Sequence, residues 1–386
     1  MTIAVTELVS SRRTARLEVA PRQVAAFRLA RHHLAHREAP IEQICRDVCA
    51  VQAQLMSAAE LALWTRRPAL ARDDIRSALW ERRTIVRTAL MRLTLHLVTA
   101  ADFPLYVTAL RKSRRVQVDR ILARYRISAD QIALATRLAL EALAGGPLTA
   151  RELIARVAPN VDRSMRGWIE HAWVGFRPAI VEGVLCYGPP RGAQVTLVRT
   201  DQWLPRTTAI DESAAIRELL RRFLHAYGPA TPRDFSKWSG IPAAEAAAVW
   251  TRTERDRERV DVDGAAMGIG REDVEALRTS EIDESAIRLL PAFDPLLLAH
   301  ASKDHLVDPR FYKRVYRNQG WLSPVVLAGG RLVACWFLKS SGRSADVDVQ
   351  PFTRLSPAIR RGIEAEVDGL SRFVGMPCAV RFARAG

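Results

Sequence analysis

Lysine is nearly absent from this chain of 386 residues: there are five, against 53 arginines. The formal net charge is nevertheless +16, so the basic character rests on guanidinium groups, whose planar fork donates two hydrogen bonds at once and matches phosphate. Two readings account for it: a polyanionic partner such as nucleic acid, or the arginine-over-lysine, alanine-rich usage of a GC-rich genome. Cysteine is scarce too. Cys45, Cys49, Cys186, Cys335 and Cys378 are odd in number, scattered and free of any CxxC pair, which argues against a zinc site and for a reducing compartment. Cys45 and Cys49, four apart on a helix, read as small apolar core residues. No apolar run approaches the roughly 18 residues of a membrane span. The N-terminal MTIAVTELVSSRRTAR lacks the apolar segment of a signal peptide. A cytoplasmic protein with no membrane contact is expected.

The familiar catalytic signatures are missing as well. There is no GxxxxGK[ST] phosphate loop, no HExxH, no GxSxG and no Gly-rich dinucleotide fingerprint. His32 and His33 are adjacent on one helix and point about 100 degrees apart, a poor metal pair. Asp294, in FDP, reads as a turn or strand-end cap. No metal and no cofactor are expected, which leaves an activity that needs neither, or none.

What is present is a repeated order of elements. RQVAAFRLARHHL, IEQICRDVCAVQAQLM and ALARDDIRSALWERRT space their apolar residues at three and four, the rhythm of amphipathic helices. RTALMRLTLHLVT, residues 87 to 99, then alternates in twos like a strand pair. Helices followed by a short basic hairpin is the order of a winged helix, in which a helix enters a DNA groove and the hairpin touches the backbone. A second cycle runs from LTARELIARVA, with a Thr149 cap and Glu152 three residues on, through GWIEHAWVGFRPAIVEG to the strands of VLCYGPPRGAQVTLVRT. A third begins at AAIRELLRRFLHAYGPATPRDFSKWSG, has AAEAAAVW as candidate recognition helix and RERVDVDG as wing. After about residue 286, LLPAFDPLLLAH, WLSPVVLAGGRLVACWFLKS and ADVDVQPF read as strands, with a hairpin at Gly329 and Gly330.

The expected fold is therefore mainly α with β-hairpin wings: three tandem winged helix-turn-helix units at 1–105, 106–205 and 206–285, and a C-terminal β-rich domain at 286–386. Residues 1 to 150 hold 24 Arg and Lys against 13 Asp and Glu, so +11 of the charge lies there. A second basic stretch, DPRFYKRVYRNQGW, interleaves Lys313, Arg314, Arg317 and Asn318 with Tyr312, Tyr316 and Trp321. That composition suits phosphate contact and base stacking, or a merely solvated face.

VQAQ, residues 51 to 54, breaks the pattern. If the preceding helix continued, Gln52 would occupy a core position and Gln54 would point about 200 degrees away, leaving a buried amide in need of partners. If the helix ends near Val51, an extended VQAQ sends both amides to one side, the geometry a two-residue working site requires.

VQAQ with ELALWTR, the run RTALMRLTLHLV, and much later LLPAFDPLLL and VYRNQGWLSPVVLAGGRLVACW resemble the winged-helix DNA glycosylases of the AlkZ type, which unhook interstrand crosslinks and remove alkylated purines. The likeness runs from about residue 23 to about residue 350. It departs at Leu55 and Met56, where the family usually has Asp-Pro, at Leu93, commonly Gly, and at Leu296, commonly aromatic. The resemblance implies a concave basic surface around duplex DNA and a catalytic role for Gln52 and Gln54, with His96 as a further candidate in the cleft.

Such a role is chemically reasonable. An N7-alkylated guanine already carries a positive charge and leaves readily, so what remains is to place a water and stabilise an oxocarbenium-like sugar, which amide oxygens and dipoles can do. Candidate DNA contacts are Arg87 and Arg92 on the first wing, Arg314, Arg317 and Asn318, and the turn Gly329, Gly330 and Arg331 as a groove probe. The expected partner is double-stranded DNA carrying alkylated or crosslinked purines, bound by a monomer. With Lys112 the nearest lysine in sequence to the glutamines, Schiff-base cleavage of abasic sites is not expected. A non-enzymatic winged-helix regulator and a scaffold protein are the alternatives.

Overall fold

The computed structural model describes residues 17–170, 175–206 and 208–384. Part of the helical stretch expected at GWIEHAWVGFRPAIVEG lies outside them. Among the described residues, helices alternate with short strands gathered into three sheets, and no helix is long and apolar enough to cross a membrane.

The first helices run Pro21–Arg31, Ile41–Asp47 and Met56–Arg66. The expected helix in ALARDDIRSALWERRT is real but irregular, with Arg72–Arg76 widening into a π turn at Ser77–Glu81. The two-residue rhythm of residues 87 to 99 becomes β3, Ile85–Ala89, and β4, Leu95–Thr99, joined through left-handed Arg92 and Leu93. A long helix, Phe103–Leu122, follows. In the second cycle Thr149 caps the Ala150–Val157 helix, with Glu152 closing the box, and the hairpin is β6, Leu185–Arg191, with β7, Gln194–Arg199. The third cycle holds helices Glu212–Tyr227, Pro232–Ser239 and Ala243–Arg252, then β8, Arg257–Val262, and β9, Ala265–Gly270.

Long-range pairing departs from a string of separate units. β2, Val51–Gln52, and β5, Leu148–Thr149, join the first two hairpins in one six-stranded sheet of order β2-β4-β3-β6-β7-β5. Its two hairpins meet where Arg87 of β3 pairs with Tyr187 of β6. β1, Leu17–Glu18, adds in parallel to β8 of the third hairpin.

Beyond residue 286 the chain forms β10, Ile287–Leu290, β11, Val325–Ala328, β12, Arg331–Ser341, β13, Ser344–Pro351, and β14, Cys378–Phe382, in a single sheet in that order, backed by the Pro357–Val374 helix. LLPAFDPLLLAH is strand only at its start; Pro295–Leu298 is a helical turn. This segment shares its interior with the start of the chain. Ile41, Trp64 and Ile85 pack in one apolar cluster with Ile287, Trp336 and Val367. Thr65 Oγ1 donates to Leu289 O at 2.6 Å, and Trp336 Nε1 to Leu290 O at 2.9 Å.

Candidate active site

The helix before VQAQ stops at Asp47. Cys49 and Ala50 then adopt left-handed backbone, φ 54° and 82°, with Ala50 N donating to Cys45 O at 2.9 Å in the manner of a helix C-cap. Glycine usually fills such positions, and each L-residue there costs roughly 1–2 kcal/mol. Both residues are buried in the core, whose packing holds them there. Tyr227 Oη, donating to Val48 O at 2.9 Å, holds the turn from the third cycle. The chain emerges extended. β2 pairs antiparallel with β4, Val51 opposite Leu97 and Gln52 opposite His96.

The ladder continues one residue further and then changes partner. Ala53 N donates to Leu95 O at 2.6 Å; a regular ladder would return Leu95 N to Ala53 O. That carbonyl instead accepts Arg87 Nη2 at 2.9 Å and Nε at 3.2 Å, and Leu95 N donates to Gln54 Oε1 at 3.3 Å. Arg87, expected on phosphate, is thus a clamp on the motif itself. Arg87→Ala should lower the unfolding free energy by about 1.5–3 kcal/mol, the worth of a hydrogen bond to a charged group, in a urea titration.

Gln52, His96 and Thr88 form one row across β2, β4 and β3. All three are buried, and Gln52 Oε1 and Thr88 Oγ1 have no hydrogen-bond partner among the described residues. His96 Nδ1 lies 2.8 Å from Thr94 O; a carbonyl only accepts, so Nδ1 carries the hydrogen and Nε2 the lone pair. Burial, reinforced by the nearby Arg92 charge, pushes the His96 pKa down to about 3, so the ring is neutral at physiological pH.

Gln54 is exposed and lines a cavity of about 410 Å³ at the junction of the first and second cycles. Its walls include Ala89 and Leu95 of the first hairpin and Tyr187, Val195 and Leu197 of the second. By strand alternation these share the face opposite the Gln52, His96 and Thr88 row. The chain is extended as expected, but the two amides do not share one side: Gln54 borders this space, while Gln52 lies in the buried row on the opposite face.

The family model described as "DNA glycosylase AlkZ-like" matches residues 45–373. The chain belongs to the AlkZ-like DNA glycosylase family. An "Interstrand DNA cross-link repair glycosylase" of Streptomyces sahachiroi is 29% identical to it over 366 residues, covering 92% of this chain and 96% of that protein. The solved Streptomyces sahachiroi DNA glycosylase AlkZ superposes with a TM-score of 0.82 at 26% identity, covering 95% of this chain and 100% of that one. The resemblance carried by VQAQ and the residue 87 to 99 run thus extends along most of the AlkZ-like chain.

Other expected DNA contacts divide by what already occupies them. Arg92 reaches across to the Pro232–Ser239 helix, donating through Nη1 to Lys237 O and Trp238 O in its last turn, where carbonyls lack helical partners. Arg314 donates to Gln350 O and Pro351 O at 3.2 Å and sits 5.0 Å from the Phe352 ring. Both are struts, not free cations. Arg317 and Asn318 are exposed, close to half-exposed Trp321, and stay available to a polyanion. Gly329 and Gly330 make the two-residue turn expected, φ 52° and 78°, but it does not project as a probe. A Cβ on Gly330 would lie 2.5 Å from Ile282 Cδ1, so the turn is seated on the protein. Arg331 is exposed and donates to Asp304 O at 2.8 Å.

His32 is fully buried against the Tyr227 ring at 4.9 Å, and His33 pairs with Asp47 at 2.8 Å, so neither serves a metal with the other. His225, Glu272 and Asp273 do converge, but Arg221 and Arg31 already neutralise the two carboxylates at 2.7 and 2.6 Å. Asp294 caps the Pro295–Leu298 turn as expected, accepting from Leu296 N at 3.0 Å. Sequence reasoning missed its larger role: an ion pair with Arg66, at 2.7 and 2.9 Å, with both side chains fully buried. Separated by 228 residues, the two have no local signal that could have joined them. It also missed buried Lys303, whose Nζ donates to Leu297 O at 2.8 Å. Lys112 is exposed and 3.9 Å from Glu245.

Proposed function

We propose that this AlkZ-like glycosylase hydrolyses the N-glycosidic bond of alkylated, cationic purines in duplex DNA, N7-alkylguanine above all, including purines held in interstrand crosslinks. The observation that carries the reading is the extended Gln-x-Gln strand, paired to the first hairpin and clamped at its central carbonyl by Arg87. A neutral amide is a weak base, so it suits a leaving group that is already charged. As the C1′–N9 bond breaks, the base takes the electron pair and leaves neutral; water adds at C1′ and its proton passes to solvent. Gln54 Oε1 has a second lone pair beyond the one facing Leu95 N and can accept from that water. Gln52, on the opposite face of β2 and with Oε1 unpartnered among the described residues, acts at a distance, its amide dipole favouring a positive charge that develops on the sugar. His96, neutral, positions this row and delivers no proton.

DNA would lie across the helix-then-hairpin cycles, read as three winged helices, with Arg317 and Asn318 on its backbone and a monomer sufficient to enclose one lesion. The test is release of free base from N7-methylated duplex DNA, followed by chromatography. Wild-type protein should release it, and the Gln52→Ala, Gln54→Ala double variant should be slower by about 10²-fold or more, the usual effect of deleting preorganised electrostatic groups. No release by wild type, or equal release by the double variant, overturns the proposal and favours a protein that only binds DNA.

A further inference from the structure

Trp321 is the most exposed of the large apolar side chains among the described residues, at 50%, and the proposed chemistry does not use it. It closes a tightly built loop. Tyr316 and Leu322 bridge antiparallel at its base, Arg317 N donates to Trp321 O at 2.8 Å and Trp321 N to Asn318 O at 3.3 Å. Gln319 and Gly320 turn the tip in left-handed backbone, φ 57° and 77°. The tip projects: a Cβ on Gly320 would meet no atom within 4 Å, whereas one on Gly330, in the turn between β11 and β12, would lie against Ile282. Arg317, Asn318 and Gln319 are all exposed, with no side-chain partner among the described residues. Behind the indole lies the Phe293 ring, with centroids 5.5 Å apart and a tilt of 51°, so Trp321 is backed by protein on one side and open to solvent on the other. Phe293 precedes Asp294, which the buried Arg66 pair fixes to the end of the Met56–Arg66 helix. Trp321 is thus tied to the element that follows Gln54, across a helix roughly 16 Å long, a few base steps of duplex.

We propose that the loop of residues 316–322 is a stacking site for one unpaired DNA base, which lies on the open side of Trp321 with its phosphate on Arg317. This rests on DNA being the partner, as in the glycosylase reading, and not on the glutamine chemistry. A ring with only one free side cannot be threaded between two bases; it can cap a stack that is already broken. A base inside intact duplex has both faces covered by its neighbours, so it offers nothing to such a ring. A base that has lost its pairing partner can turn a face outward, and because every base has a π-face the site accepts any of the four. The free cation beside the indole completes the pattern of single-strand sites, in which basic groups follow the backbone while aromatic rings take the bases. Asn318 and Gln319 carry amides that can meet the exposed edge of the stacked base. The loop therefore distinguishes locally opened duplex from intact duplex, independently of any bond cleavage.

The full-length protein is titrated into two undamaged duplexes, alike except that one carries a single bulged 2-aminopurine, with binding followed by anisotropy of an end label. The bulged duplex should bind more tightly by about 5- to 100-fold in Kd, the range that stacking of one base on an aromatic ring sustains, and binding should quench the 2-aminopurine emission. Trp321→Ala should bring the Kd ratio close to one and abolish the quenching. Trp321→Leu, which keeps apolar cover over Phe293 but has no aromatic face, should do the same and replaces the alanine variant if that one fails to fold. Trp321→Phe should keep most of both effects. A wild-type ratio near one, or a ratio and quenching that survive in a folded Ala or Leu variant, overturns the stacking site and leaves the glycosylase reading intact. Binding to neither duplex overturns the DNA partner on which both rest.

Discussion

Asp294→Ala should cost the folded protein about 3–5 kcal/mol, the usual result of stripping one partner from a buried ion pair. The Arg66 guanidinium and the Asp294 carboxylate are wholly excluded from solvent and meet through two hydrogen bonds, 2.7 and 2.9 Å. Arg66 Nη1 also donates to Ala62 O at 2.9 Å, but Nε has no partner among the described residues, so the charge is poorly compensated once the carboxylate is gone. The penalty belongs to the stranded cation more than to the pair. Arg66→Met combined with Asp294→Leu, which removes both charges and keeps apolar volume, should therefore lose much less than Asp294→Ala alone. Urea unfolding of the three variants measures this; a double variant as unstable as the single one would contradict the account. The pair joins the end of the helix that starts two residues after Gln54 to the FDP turn that follows β10, so the single variant loosens the support of the glutamine strand as well.

Lys303→Met should stabilise the protein at neutral pH and do so much less at high pH. Burial, with the charges of Lys237 and Arg92 adding to it, brings the Lys303 pKa from 10.5 down to about 7. Between those values the unfolded chain holds a proton that the folded chain has released, so stability rises with pH across that window. Below about pH 7 both states are protonated and the full penalty of a buried ammonium is present; above the unfolded pKa both are neutral and it vanishes. At about 1.4 kcal/mol per unit the penalty is on the order of a few kcal/mol. Methionine carries no charge in either state, and Leu297 O keeps a donor in Tyr316 Oη at 3.1 Å. The thermal midpoint of the variant should exceed wild type by a few degrees at pH 7, at about 1 °C per kcal/mol for a chain of this size, with the gap narrowing toward pH 10. A gap independent of pH would show that packing, not the ammonium, sets the difference.

How much of this was legible in the sequence depends on the range over which each feature is decided. The helical and two-residue rhythms near residues 41 to 66 and 85 to 99 depend on neighbours a few positions apart, and the corresponding elements formed. Apolar spacing left VQAQ open between helix and strand. Cys49 and Ala50 decide for strand by taking left-handed backbone, which neither residue type advertises as Gly or Asn would. The Gln-x-Gln resemblance was readable because it needs only residue identity. What stayed hidden were partners brought together from afar: β3 with β6, Arg92 with the third cycle, Arg66 with Asp294. The arginines chosen as phosphate contacts show why. An Arg on a wing strand can face solvent or cap a carbonyl, and its own neighbours do not distinguish the two.

The single pairing of Arg87 with Tyr187 turns two hairpins into parts of one sheet, and Arg92 braces the tip of the first against the third cycle. Hairpins that hung independently could spread around whatever they met. Braced in this way, the two hairpins and the third cycle are set in place together during folding.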